Sequence, residues 1–158
     1  MDMDARTNFA TSFGLCMVFG GRLAKRSIAT LGERGHTTFA NWMSFVALGV
    51  WAQSRSAAGM FLGMLLLVPT MERRAALGAI TTQHALAAGF GRGEFQGMFA
   101  NWRALSTMFA PVLYGITYKY AAPRGNPGMP YWVAGIVCML GELLHKSMSD
   151  KELFAHRK

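Results

Sequence analysis

Five apolar stretches, each ended by glycine, proline or a cluster of charges, leave this chain little choice of fold. They cover residues 8–20, 37–53, 57–84, 96–120 and 131–146, and none shows the alternation of a half-buried strand. The clearest lies within "GEFQGMFANWRALSTMFAPVLYGITY", residues 93–118, where bulky apolar side chains fall on every side of the helix that the spacing predicts. A helix of that kind must be covered all round. The expected fold is therefore all-α, a multi-pass transmembrane bundle of about five spanning helices.

Composition leans the same way. Over 158 residues the chain is 52% hydrophobic and 15% charged, richer and less charged than an average soluble domain. Its mean hydropathy is only +0.22, and its longest clean apolar run, 57–71, falls short of the roughly 18 residues that identify a spanning helix outright. A net charge of +8 and a pI near 10.1 invite a nucleic-acid reading. The Lys and Arg residues, however, sit between the apolar stretches instead of gathering on one face or tail, so no nucleic-acid partner is expected.

The punctuation is specific. The first stretch stops at Gly20-Gly21, ahead of a basic loop, "GRLAKRSIATLGERG". The second carries Trp42 and Trp51 toward its ends, where a membrane interface places aromatics. In the third, Gly59 and Gly63 form a small-xxx-small pair that lets another helix approach closely. Pro69 then kinks it, and Glu72-Arg73-Arg74 follow where a lipid-facing helix could not hold them cheaply. "AAPRGNPGMP" is a loop, and residues 147–158 read as a polar, basic cytoplasmic tail. The opening "MDMDARTNFATSFG" has acids where a secretory signal carries positive charge, so no cleavable leader is read.

If the five stretches span a bilayer, their connections alternate sides. One side then receives Arg22, Lys25, Arg26, Arg34, Arg92, Lys146, Lys151, Arg157 and Lys158, the other Arg6, Arg55, Lys119 and Arg124. The richer side is expected in the cytoplasm, with the N-terminus outside.

"QGMFANWRALSTMFAPVLYG", residues 96–115, resembles a stretch of the major facilitator superfamily of transporters, in its tetracycline-resistance-like branch, which includes the hippocampus abundant transcript proteins. Gln96, Gly97, Arg103, Pro111, Tyr114 and Gly115 stand in step with that family's eleventh helix. The basic loop is similar to the superfamily's cytoplasmic signature through Gly21, Arg22, Leu23, Ala24 and Arg26, with Lys25 where the family has an aspartate. The resemblance implies helices eight to twelve of a twelve-helix carrier, that is, residues 1–158 as a partial C-terminal domain. It implies transport of a small solute by alternating access, driven by a substrate or proton gradient. Because the substrate cavity of such carriers lies between two six-helix halves, the chain is expected to be truncated and not competent alone. Its partners would be the lipid bilayer, a small-molecule substrate and the missing N-terminal half or another carrier chain. The alternative is a non-transporting membrane protein that associates with other carriers.

Four residues stand out as candidate substrate or gating groups. Arg103, with Asn101 two residues before it, lies near the start of its helix and is expected to snorkel to the headgroups unless it meets an anion. Glu72 beside Arg73 is a candidate proton-coupling acid with its counter-charge. Glu142, near His145, is expected at the cytoplasmic boundary. Enzymatic chemistry finds no support. The histidines show no ligand spacing, "GFGRGEFQG" has no preceding strand and no Lys-Ser/Thr to make a phosphate loop, and Cys16 and Cys138 read as buried thiols. The twelve methionines fit helix packing better than metal binding. No cofactor is expected, and plasma and internal membranes are not distinguished.

Overall fold

The computed structural model describes residues 3–70 and 72–147, with side chains from residue 7. It is all-helical there. The order is α1 (Met3–Gln53), α2 (Ala57–Leu67), a 3-10 turn (Val68–Thr70), α3 (Arg73–Ala87), α4 (Arg92–Ala121), a second 3-10 turn (Ala122–Arg124) and α5 (Met129–Ser147). From residue 148 the expected tail lies outside the described residues.

α1 is two arms, not one rod. Gly32 has φ 72° and ψ 172°, a left-handed φ that glycine adopts without penalty from a Cβ. Across it His36 Nδ1 lies 3.0 Å from Ser27 Oγ, whereas nine residues of straight helix would separate them by about 13 Å. The chain doubles back. This corrects the reading of "GRLAKRSIATLGERG" as a loop, because everything in it except Gly32 is helical. The basic side chains do not oppose a helix; Arg22, Lys25 and Arg26 are exposed while Gly20 and Ala24, four apart, turn inward.

The third apolar stretch is likewise not one kinked helix but two. Pro69 has no N–H to give and crowds the preceding turn, so α2 ends at Leu67 and α3 begins at Arg73. Thr70 Oγ1 donates to the Leu67 carbonyl at 2.8 Å, satisfying one acceptor freed by the break. At the other end of α2, Ser56 caps by accepting from Gly59 N at 3.2 Å.

At the glycine pair of α2, Gly63 is approached by a side chain of α1, and Gly59 by the nearby Ser54 and Ser56. Trp51 Nε1 donates to the Met60 carbonyl at 2.9 Å, and its ring occupies the space a Cβ on Gly63 would take. Gly63→Leu should therefore force the indole out, at a cost of about 1–3 kcal/mol for overpacking. A lower thermal midpoint with red-shifted tryptophan emission would register it; unchanged values for both would contradict this contact.

The two ends of the bundle are fixed by contacts. Arg34 donates to the carbonyls of His145 and Lys146, both at 3.5 Å, closing the C-terminus of α5 next to the α1 bend. At the opposite end Trp51 packs edge-on against Tyr131 at 5.8 Å, and Phe45 against Trp132 at 6.2 Å. There Gly128 sits directly on the Ala52 carbonyl.

Burial is inverted relative to a water-soluble domain. The buried apolar side chains are mostly small, Ala24, Ala40, Ala47, Ala76 and Ala85 with Met64 and Ile80. The rest of the interior is polar: His36, Thr37, Asn41, Ser44, Thr82, Glu142 and His145. The large apolar residues face out, with Trp102 68% and Leu144 69% exposed, and α4 buries no residue at all. Among the described residues, no helix is long and apolar enough to cross a membrane.

Candidate functional site

The second arm of α1 presents Thr37, Ala40, Asn41, Ser44 and Ala47 inward at spacings of three and four, so small and hydrogen-bonding side chains alternate along one stripe. α5 answers with Gly135, Cys138, Glu142 and His145 at the same spacing. Gly135 lets Phe45 of α1 approach its backbone, a Cβ there coming within 3.2 Å of the ring. The close seam brings side chains 101 positions apart into contact: Asn41 Nδ2 donates to Glu142 Oε2 at 2.7 Å.

The break between α2 and α3 supplies the third member. Arg73, the first residue of α3, donates through Nη1 to Asn41 Oδ1 at 2.9 Å, to Ser44 Oγ at 3.2 Å and to Cys138 Sγ at 3.2 Å. Cys138 in turn donates to the Asn41 carbonyl at 3.6 Å. The result is a chain of carboxylate, amide and guanidinium across three helices, with Asn41 as its hinge. The charges dictate the amide orientation: the NH2 faces the acid and the oxygen faces the arginine. Cys138 is the central residue of α5, so this arginine reaches the middle of the bundle.

Glu142 is only 1% exposed, yet its Oε1 has no hydrogen-bond partner among the described residues. Lys146 Nζ and His145 Nδ1 stand off at 4.0 Å from its two oxygens. The i, i+4 step from Cys138 turns Glu142 toward Asn41, inside the bundle and one turn before Lys146 near the end of α5. The cysteines also depart from the reading as buried thiols, both being half-buried and free, with Cys138 part of the polar chain.

Glu72, half-buried, lies on the far side of the same break. A Cβ on Gly21 would come within 3.4 Å of its Oε1, and the His36 imidazole is within its electrostatic reach. His36 is fully buried, its Nε2 without a partner among the described residues. Of the basic signature, Gly21 therefore touches the site and Ala24 is buried, while Arg22, Leu23, Lys25 and Arg26 face out.

The four candidate residues split into two places. Arg73 belongs to the polar chain and Glu72, beside it in sequence, faces Gly21; Asn101 and Arg103 lie exposed on α4. Since α4 begins at Arg92, four residues earlier than the apolar pattern indicated, Arg103 sits eleven residues into the helix and about 17 Å along it. It lines a groove with Arg74. Of the α4 signature, Gln96 ties α4 to α3 by donating to Thr82 Oγ1 at 3.0 Å. A Cβ on Gly97 or Gly115 would meet nothing within 4 Å, and Pro111 and Tyr114 pack on no core.

Sequence reasoning missed Asn41, Ser44 and Cys138. Their signal was the polar stripe at helical spacing through 37, 41 and 44, matched by 138, 142 and 145. Among the described residues, no three His, Cys, Asp or Glu side chains converge as metal ligands. Comparison with known protein families, curated proteins and solved structures finds no match to this chain.

Proposed function

We propose that this chain is an integral-membrane helical module of a secondary transporter, resembling the C-terminal half of a major facilitator carrier. The observation that carries the reading is the inverted burial. Membrane bundles join helices through small residues and turn polar and ionisable groups inward, because lipid gives large apolar side chains no reason to hide. The interior face carries polar groups such as Asn41, Glu142 and His145, while the charges of α4, Arg92, Glu94, Arg103 and Lys119, are exposed.

The transporter reading rests on the broken helix. A discontinuity that carries Glu72 and Arg73 into a bundle, at the level of the central residue of α5, resembles the way carriers build ion and substrate sites at mid-membrane. These helices form one wall of such a site, and the opposite wall comes from protein outside the described residues. Alternating access then needs both walls. The richer basic end, with Arg34 and Lys146, faces the cytoplasm.

Two measurements test this. The full chain should stay in the membrane pellet after an alkaline carbonate wash, and recovery in the wash would sink the membrane reading. Purified and reconstituted alone, it should show no uptake above empty liposomes. Saturable, gradient-dependent uptake by the chain alone would overturn the claim that a second wall is required.

A further inference from the structure

The groove between α3 and α4 holds about 790 Å³, within the range of roughly 300–1,000 Å³ typical of small-molecule sites. Ala100, Ala104, Phe99 and Met108 line it beside the polar Gln96 and Thr107. Arg74 and Arg103 project into it from the two helices. Neither has a hydrogen-bond or ion-pair partner among the described residues, and no carboxylate lines the groove. Arg74 stands next to Arg73, yet only Arg73 is used by the buried polar chain.

Two guanidinium groups lining one groove, with no carboxylate among its lining residues, give it a positive charge that an anion complements. Guanidinium offers carboxylate and phosphate a planar fork, and two forks facing one groove form a clamp. Phe99, Ala100, Ala104 and Met108 favour a ligand body that is itself apolar. From this charge complementarity we infer that the groove binds a diffusible amphiphilic organic anion, its carboxylate or phosphate held between Arg74 and Arg103 and its body lying along Phe99 and Met108. That this anion is the transported cargo rests on the transporter reading; that it binds does not.

The test uses the full chain in phosphatidylcholine nanodiscs, with fluorescent 1-naphthyl phosphate as probe and neutral 1-naphthol as its matched control. Saturable binding of the phosphate is expected, at least about tenfold tighter than that of the naphthol, the worth of one charge-assisted hydrogen bond. The double variant R74Q/R103Q should lose that preference, while R124Q, in the 3-10 turn that follows α4, should keep it. F99A should weaken phosphate and naphthol alike, which separates the body contact from the clamp. Far-UV circular dichroism checks that each variant keeps its helices, and both arginines are peripheral enough to be replaced without loss of fold.

Equal affinity for the two probes, or an unchanged preference in R74Q/R103Q, would overturn the proposal. So would displacement of the probe by a minor fraction of phosphatidylglycerol in the disc, since the clamp would then belong to a lipid headgroup. Chains that enter discs and fail to bind sink the groove but leave the transporter reading. Chains that bind the probe yet wash out of membranes with carbonate do the reverse.

Discussion

Replacing Arg73 with leucine should destabilise the folded chain by about 3 kcal/mol, the lower end of what removing one member of a buried charged set costs. The reason is geometric. Arg73 gives one guanidinium nitrogen to Asn41, Ser44 and Cys138, and Asn41 passes its amide to Glu142. Without the arginine, Asn41 Oδ1 loses its charged donor, and the 1% exposed carboxylate it bonds keeps Lys146, at 4.0 Å, as a neighbouring cation. Glu142→Gln should cost much less, because its amide oxygen can still accept from Asn41. The decisive comparison is the double variant R73L/E142L. If the two charges act through Asn41, removing both should cost less than the sum of the single changes by about 1 kcal/mol or more. Thermal unfolding in detergent, followed by the emission of Trp42, Trp51 and Trp132, measures it. Additive losses would show that the two residues are independent.

Gly128→Ala should be nearly as damaging although it adds one methyl group. The Cβ would run into the Ala52 carbonyl and its neighbouring backbone atoms. Side chains can swing away from an intruder, but a helix end held by Trp51, Tyr131 and Trp132 cannot. The expected loss is about 2 kcal/mol, with separation of α5 from the end of α1. Gly97→Ala and Gly115→Ala are the matching controls, since their Cβ positions face open space within α4. Both should be neutral or slightly stabilising, as alanine is the better helix former. A neutral Gly128→Ala in the same thermal assay would mean that the 122–128 turn does not rest on Ala52.

Several features of the fold were legible because their causes act over a few residues. Pro69 is legible as a disturbance, since its missing N–H and its ring affect only the preceding turn, but not as an end, since Pro111 stands inside α4. Gly63 could be marked as a point of close approach from its spacing to Gly59. The proline- and glycine-rich connection before α5 was equally plain. Gly32 was not, because the surrounding arginines and lysines read as a loop when they were the solvent face of two helical arms. Charge tells which side of a helix is wet, and it does not tell where the helix stops.

The candidate site was legible only in half. Glu72 and Arg73 drew attention as charges in an apolar context, and that argument needs no partner. Asn41 and Glu142 lie 101 positions apart, and no local rule pairs them. The burial of Glu142 in particular is not legible, since a glutamate near a histidine and a lysine at a helix end looks like an ordinary surface cluster. Only the packing of α5 on the second arm of α1 turns it inward. Arg74 and Arg103 show the same limit: their shared groove exists only because α3 and α4 stand side by side.

By itself the sequence determined that this chain is helical, that Pro69 disturbs its third segment, and that apolar side chains fall on nearly every side of its helices. Those properties follow from backbone chemistry and side-chain spacing within a turn or two. The tertiary structure alone decided that small and polar residues form the seam between helices, that Arg73 is the counter-charge reached from Glu142 through Asn41, and that Arg74 faces the other way. Those assignments depend on which helix faces meet and at what height, and distances between residues far apart in the chain are set only when the helices pack.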